Sequence, residues 1–226
     1  MATLFCLPVF AQTTDAASQH EVEYQEDIKY NDFRFAVGVG YGHRLGANQK
    51  TYNYLIDELN KSLRQGFAFD GDVQYFFKEK WGVGLNANLV ATTGSVGGYT
   101  VKGDSWSPWI RLDERERILY IGPTYVTRSE TDKFLLITSL GVGPIFIWDK
   151  MFVSSIEANA TKTTIGANAA LSGEYKMSSN LGLGLKLSCT VGSIGSMKFE
   201  GQTIKADERI SVSHFMASLF LSFRTW

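Results

Sequence analysis

No stretch of this 226-residue sequence holds the roughly 18 consecutive apolar residues that a membrane-crossing helix requires; the longest candidates are broken by Gly, Thr, Asp or Lys. That excludes helical spans but not a β-barrel, whose strands each need only about 9–11 residues. Proline is scarce, at 4 residues, and cysteine scarcer, at 2. Cys6 lies in a segment read below as a processed leader. Cys189 then stands alone, so no internal disulfide can form. Its place on an apolar strand face suits a small packing or lipid-facing residue. Charge of one sign is missing too. The 22 basic and 23 acidic residues leave a net charge of −1, which excludes a basic nucleic-acid-binding surface. With three histidines and no dense carboxylate cluster, no metal centre is expected, and no cofactor.

What the sequence has is glycine, 22 residues of it, and 13% aromatics, usage that suits many strands joined by tight turns. Residues 208–226, ERISVSHFMASLFLSFRTW, alternate strictly. Phe215, Ala217, Leu219, Leu221 and Phe223 share one strand face, and His214, Met216, Ser218, Phe220, Ser222 and Arg224 the other. Seven upstream segments behave alike. They run over about 32–44, 66–78, from 81, 117–128, 133–148, 163–176 and 181–193. In the first, Phe33, Phe35, Val37, Val39 and Tyr41 oppose Arg34, Ala36, Gly38, Gly40, Gly42 and Arg44. In the last of the seven, Leu181, Leu183, Leu185, Leu187 and Val191 oppose Gly182, Gly184, Lys186, Ser188 and Thr190. An apolar row opposite a mixed polar row is what a strand needs with lipid on one side and a narrow wet interior on the other. Pro123 sits awkwardly inside the fourth segment, since it cannot donate to a ladder, and there it marks a candidate bulge.

The connections alternate between short (78–80, 129–132, 177–180) and long (about 45–65, 100–116, 198–207), with 151–162 intermediate. This is the rhythm of an all-β, eight-stranded, antiparallel up-and-down transmembrane β-barrel, with short periplasmic turns and longer external loops. Residues 1–11, MATLFCLPVFA, read as a signal peptide remnant; 12–31 read as a flexible, acidic N-terminal extension; and 32–226 form the barrel domain. In the first long loop, Leu55, Leu59 and Leu63 recur at helical spacing, which predicts a short amphipathic helix, either a lid or an element packed on the barrel mouth.

The terminal FMASLFLSFRTW, the hairpin VQYFFKEKWGVGLNANL and the strand YIGPTYVTR resemble those of the small eight-stranded outer-membrane β-barrel proteins of Gram-negative bacteria. The resemblance covers about residues 32–226. It implies a cell outer-membrane location and insertion by the outer-membrane assembly machinery, which reads a C-terminal strand ending in an aromatic.

On this reading the lumen carries a polar network of Arg34, Asp70, Asp72, Asn86, Asn88, Glu174, Lys186, His214 and Arg224. Glu174 and Lys186 flank one turn almost symmetrically and are expected to pair; Asp72 is expected beside Asn86 or Asn88. An eight-stranded barrel is just wide enough for side chains to fill, so the network reads as a plug, with a narrow conducting pore or transporter as the alternative. Tyr41, Tyr75, Trp81, Tyr125, Trp148 and Tyr175 near strand ends read as membrane-interface aromatics. Trp106, Trp109 and Arg111 are the candidate loop contacts, since aromatics and arginine favour recognition. His43 and His214 invite a rim-enzyme reading. No triad accompanies them, so no catalytic residue is assigned and the protein is not expected to be an enzyme. A soluble ligand-binding barrel would turn the two faces inside out. The expected function is structural, or surface binding by a monomer through external loops, with outer-membrane lipid as the surrounding partner and no nucleic acid.

Overall fold

The computed structural model describes residues 32–45, 54–97, 111–153, 156–199 and 202–225. The signal remnant, the N-terminal extension, Trp106 and Trp109 lie outside them. The elements run β1 (Asp32–Arg44), α1 (Tyr54–Ser62), β2 (Gln65–Phe76), β3 (Trp81–Gly97), β4 (Arg111–Glu130), β5 (Phe134–Val153), β6 (Ile156–Lys176), β7 (Leu181–Phe199), β8 (Gln202–Ser211) and β9 (His214–Thr225). Every neighbouring pair is antiparallel, and β9 returns to β1 to close the ring. β8 and β9 form one wall strand. Both pair with β7: the register of Thr190↔His214 carries on to Ser193↔Ser211 across the gap at Val212–Ser213, and it shifts only further up, between Ile194 and Ser196. The wall therefore has eight strands.

Closure fixes the barrel's shape. Stepping from partner to partner, Arg34 leads through Gln74, Gly84, Thr124, Gly141, Asn168, Thr190 and His214 to Arg44. One circuit thus climbs ten residues of β1, from 34 to 44. A stagger of that size tilts the strands and sets the diameter of a lumen that side chains can fill.

Side-chain parity follows the sequence pattern. Arg34, Ala36, Asp70, Asp72, Gln74, Asn86 and Asn88 are buried, whereas Phe33, Phe35, Val37, Phe69 and Val73 are exposed. The exposed row continues round the wall through Leu85, Leu140, Val142, Leu171, Leu187, Leu219 and Leu221. A soluble barrel would bury this row, so the inside-out alternative is overturned. Three aromatic pairs ring the turn end: Phe33–Tyr75 at 5.3 Å, Trp81–Tyr125 at 5.9 Å and Phe134–Tyr175 at 5.5 Å between centroids. Trp148 stacks on Phe146 near the loop end, and Tyr41 is exposed higher on β1 than that lower ring. These positions suit a belt whose aromatics meet both interfaces.

Several boundaries differ from the sequence reading. β4 begins at Arg111, β5 reaches Val153, β6 starts at Ile156 and β7 runs to Phe199. Much of what reads as loop is strand, and β4 to β7 are 19 to 21 residues long, about twice what a bilayer needs. Pro123 makes no bulge. Tyr120↔Ile145 and Thr124↔Gly141 keep one register on either side of a break in the β4–β5 ladder. β1 and β2 stop lower, and the segment between them carries α1. Its Leu59, with Leu63 just beyond its end, packs against Val96 and Leu112 on the inner face of the β3–β4 extension, so the helix sits on the mouth. Gly94 allows this approach, since a Cβ there would collide with Ser62 Oγ.

The belt predicts where charge is tolerated. Leu187→Arg, near mid-height on the lipid face, should cost about 2–4 kcal/mol, and Thr163→Arg, above the belt, about 0–1 kcal/mol. Unfolding free energies measured in phospholipid vesicles check the contrast.

Candidate functional site: the lumen and its external mouth

All nine residues expected on the inner face are buried, and the charged ones fall into two networks stacked along the axis. The lower one centres on Glu174. The register sets Arg34 directly opposite Arg224 on β1 and β9, a like-charge pair that would repel in isolation. Glu174 reaches from β6, accepting from Arg34 Nε at 2.9 Å through Oε2 and from Arg224 Nη2 at 2.7 Å through Oε1. Arg34 Nη1 also donates to Gln74 Oε1 at 3.0 Å, and its guanidinium lies 5.1 Å from the Phe220 ring centroid. Arg224 Nη1 continues to Glu130 at 3.1 Å, which also takes Lys176. Arg128 pairs with Asp32 and stacks over Phe76 at 4.4 Å. Gly182 makes room for this centre; a Cβ there would collide with Glu174 Oε1.

The upper network centres on Lys186. Its Nζ lies 2.6 Å from Asp72 Oδ2 and 3.4 Å from Asp70 Oδ1. Asn86 Nδ2 donates to Asp72 Oδ1 at 2.8 Å, Asn88 Nδ2 donates to Asn86 Oδ1 at 2.7 Å, and Ser218 Oγ donates to Asp70. The expected Glu174–Lys186 pair does not form. The turn places Lys186 opposite Ser172 and Glu174 opposite Gly184, and each charge crosses the lumen to a different wall. The lower network joins four cations (Arg34, Arg128, Lys176, Arg224) to three anions (Asp32, Glu130, Glu174), and the upper joins one cation to two anions. Together they balance.

Apolar layers separate and cap these charges, and the sequence reading named few of their members. Phe76, Val126, Leu135 and Ile137 pack at the turn end. Toward the mouth, Ile118, Tyr120, Ile145, Ile147, Ile194 and Val212 form an internal girdle. Inward parity alone would have found these isoleucines; their apolar character masked them among lipid-facing residues. His214 is buried at the same end, its Nδ1 3.2 Å from Val212 O, while His43 sits on the outward parity of β1. The two histidines face opposite sides of the wall and share no site.

Above the girdle lies an acidic cluster. Glu116 is opposite Asp149 on β4 and β5, with Glu114 one turn of the pleat higher. Arg44 Nη1 reaches Glu116 Oε2 at 2.7 Å. Burial, with Asp149 and Glu116 as negative neighbours, pushes Glu114 up to about 8 against the pull of Arg44. Burial raises Asp149 and Glu116 as well. Glu114 thus keeps its proton at neutral pH beside Asp149. Arg111 opens β4 at its outermost end, its side chain 69% exposed and 2.9 Å from Asp113 Oδ2.

No protein-family model matches this sequence, and no curated protein is significantly similar to it. Solved structures are. A major outer membrane protein from Thermus thermophilus superposes with a TM-score of 0.57 at 11% identity, over 86% of this chain and 99% of that one. Ail, the attachment invasion locus protein of Yersinia pestis, solved with the heparin analogue sucrose octasulfate, gives 0.49 at 13% identity over 86% and 99%. Neisserial surface protein A gives 0.43 at 11% identity over 85% and 95%.

The two ends of the lumen should respond differently to perturbation. Glu174→Gln leaves two buried arginines facing each other and should cost about 3–5 kcal/mol. In double-mutant cycles by urea unfolding, Lys186 should couple to Asp72 and not to Glu174. At the mouth, the folded state holds the Glu114 proton up to about pH 8, whereas an opened extension releases it near the ordinary 4.5. The extension's stability is therefore full below that lower value and falls as pH rises toward 8. Amide exchange in residues 111–116 and 149–153, corrected for intrinsic rates, should accelerate across that window, and Glu114→Gln should flatten the response. The closed ring, its apolar belt and the likeness to the Thermus structure together give this chain the fold of an eight-stranded transmembrane β-barrel, a fold it shares with solved outer-membrane proteins.

Proposed function

We propose that the protein acts through what it presents outside the membrane, as a surface-binding or structural barrel, and not by passing solute through its lumen. One observation carries this: the lumen is filled at successive levels by the Glu174 network, the Lys186 network and the isoleucine girdle, with α1 packed on the mouth. A solute path would have to break buried ion pairs at two heights, each costly in a low-dielectric interior. The extended β4–β7 wall supports the other half of the reading, because it holds backbone outside the bilayer in a form suited to recognition. The reading is non-enzymatic, since the acids of the two luminal networks are engaged in ion pairs and His43 and His214 lie on opposite faces. It is also monomeric: ring closure leaves no strand edge within the bilayer for a second copy.

The wild-type protein in planar lipid bilayers should show no unitary conductance. Heat-modifiable migration of the same vesicle sample on an unboiled gel reports that the barrel is folded, so that silence in the bilayer is informative. Reproducible steps from the wild type would sink the proposal.

A further inference from the structure

We propose that the outer wall above β4 and β5 binds the phosphate groups of anionic lipid headgroups in the outer leaflet. The apolar belt ends there at Trp148 and Ala91, both register partners of Arg117. One pleat higher, Arg115 stands directly opposite Lys150 on the same outward face. Three cations therefore gather on two successive pleats at the belt's upper edge, two of them a directly opposed like-charge pair, an arrangement that repels unless an anion lies between. Lys150 is 3.3 Å from Glu157, and Arg111 is held by Asp113, but both acids sit in the tiers above. Arg115 acts on Asp113 only at a distance, and no ion pair or hydrogen bond engages Arg117 among the described residues.

The cluster is local. At the same height the outward residues of β3, β6 and β7 are Thr93, Thr161, Thr163 and Ser193, all uncharged. Headgroup phosphates occupy the zone just above the hydrocarbon, where a Trp marks the boundary and long basic side chains reach upward from it. Two guanidiniums offer the forked donors that phosphate oxygens accept, and Lys150 adds a point charge. Charge complementarity and continuity with the belt thus identify a lipid phosphate as the occupant. This inference concerns the lipid-facing wall and stands apart from the plugged-lumen reading.

The test uses the full barrel in vesicles of phosphatidylcholine alone or doped with phosphatidic acid, reading the temperature at which the folded band is lost on unboiled gels. Phosphatidic acid should raise that temperature for the wild type. The rise should vanish in the Arg115→Gln, Arg117→Gln double variant and shrink in Lys150→Gln. An equal rise in wild type and double variant, or none in either, overturns the proposal. So does an arginine-dependent rise produced by a soluble sulfated polysaccharide and not by phosphatidic acid, which would make the cluster a docking face for an external polyanion. Should the double variant not fold, the wild-type rise must weaken as salt increases; a salt-insensitive rise refutes the electrostatic contact.

Discussion

Arg34 and Arg224 meet across the seam where β9 returns to β1, and Glu174 reaches over from β6 to bind both. Within a bilayer every backbone donor and acceptor must be paired, so the ring has to close. Closure with a ten-residue stagger brings opposite walls within side-chain reach and removes the interior from water. A buried like-charge pair at the seam is then tolerable only with an anion between. The other luminal features follow from that demand: glycine at 182 to admit the carboxylate, Gln74 and Phe220 to occupy the remaining faces of Arg34, and Glu130 to hold the second fork of Arg224.

The same constraint explains why the two networks are unbalanced singly and balanced together. The lower carries one surplus cation and the upper one surplus anion, and Lys186 with its two aspartates stands one tier above Glu174. The attraction between tiers is short-range and poorly screened in a dry lumen. A barrel arranged this way resists the partial opening that ion passage needs, because moving any one charge exposes an unpaired partner. A rigid membrane-spanning part is a consequence of this electrostatic arrangement.

Much of this was legible in the sequence because lipid imposes period two on the outer face. β1 was readable to its end residues, and every luminal candidate from Arg34 to Arg224 fell on the inward parity. The register was not. Lys186 and Glu174 look symmetric about 178–180, yet the turn pairs Lys176 with Gly182 and so shifts each charge past the other. Side chains that cross a lumen choose partners by three-dimensional stagger, which strand-by-strand reading does not contain. The external reach of β4 to β7 was hidden for a different reason. Above the belt the outward positions become Arg115, Arg117, Thr161, Thr163 and Ser193, so the apolar row that marks a strand disappears while the hydrogen-bonded ladder continues.

That loss of alternation is itself informative. Where both faces meet water, nothing in hydrophobicity holds a strand in register, and the extension must be stabilised by its ladder and by what packs on its inner face. Here α1 and the residue after it supply the packing on β3 and β4 through Leu59 and Leu63, and the Arg44–Glu116 pair ties the short β1 to the tall β4. Beside that pair sit Glu114 and Asp149, two carboxyls whose closeness is favourable only while they share a proton. The part of the molecule best placed to respond to its surroundings is thus the part that projects from the membrane, where burial raises the Glu114 carboxyl to about 8.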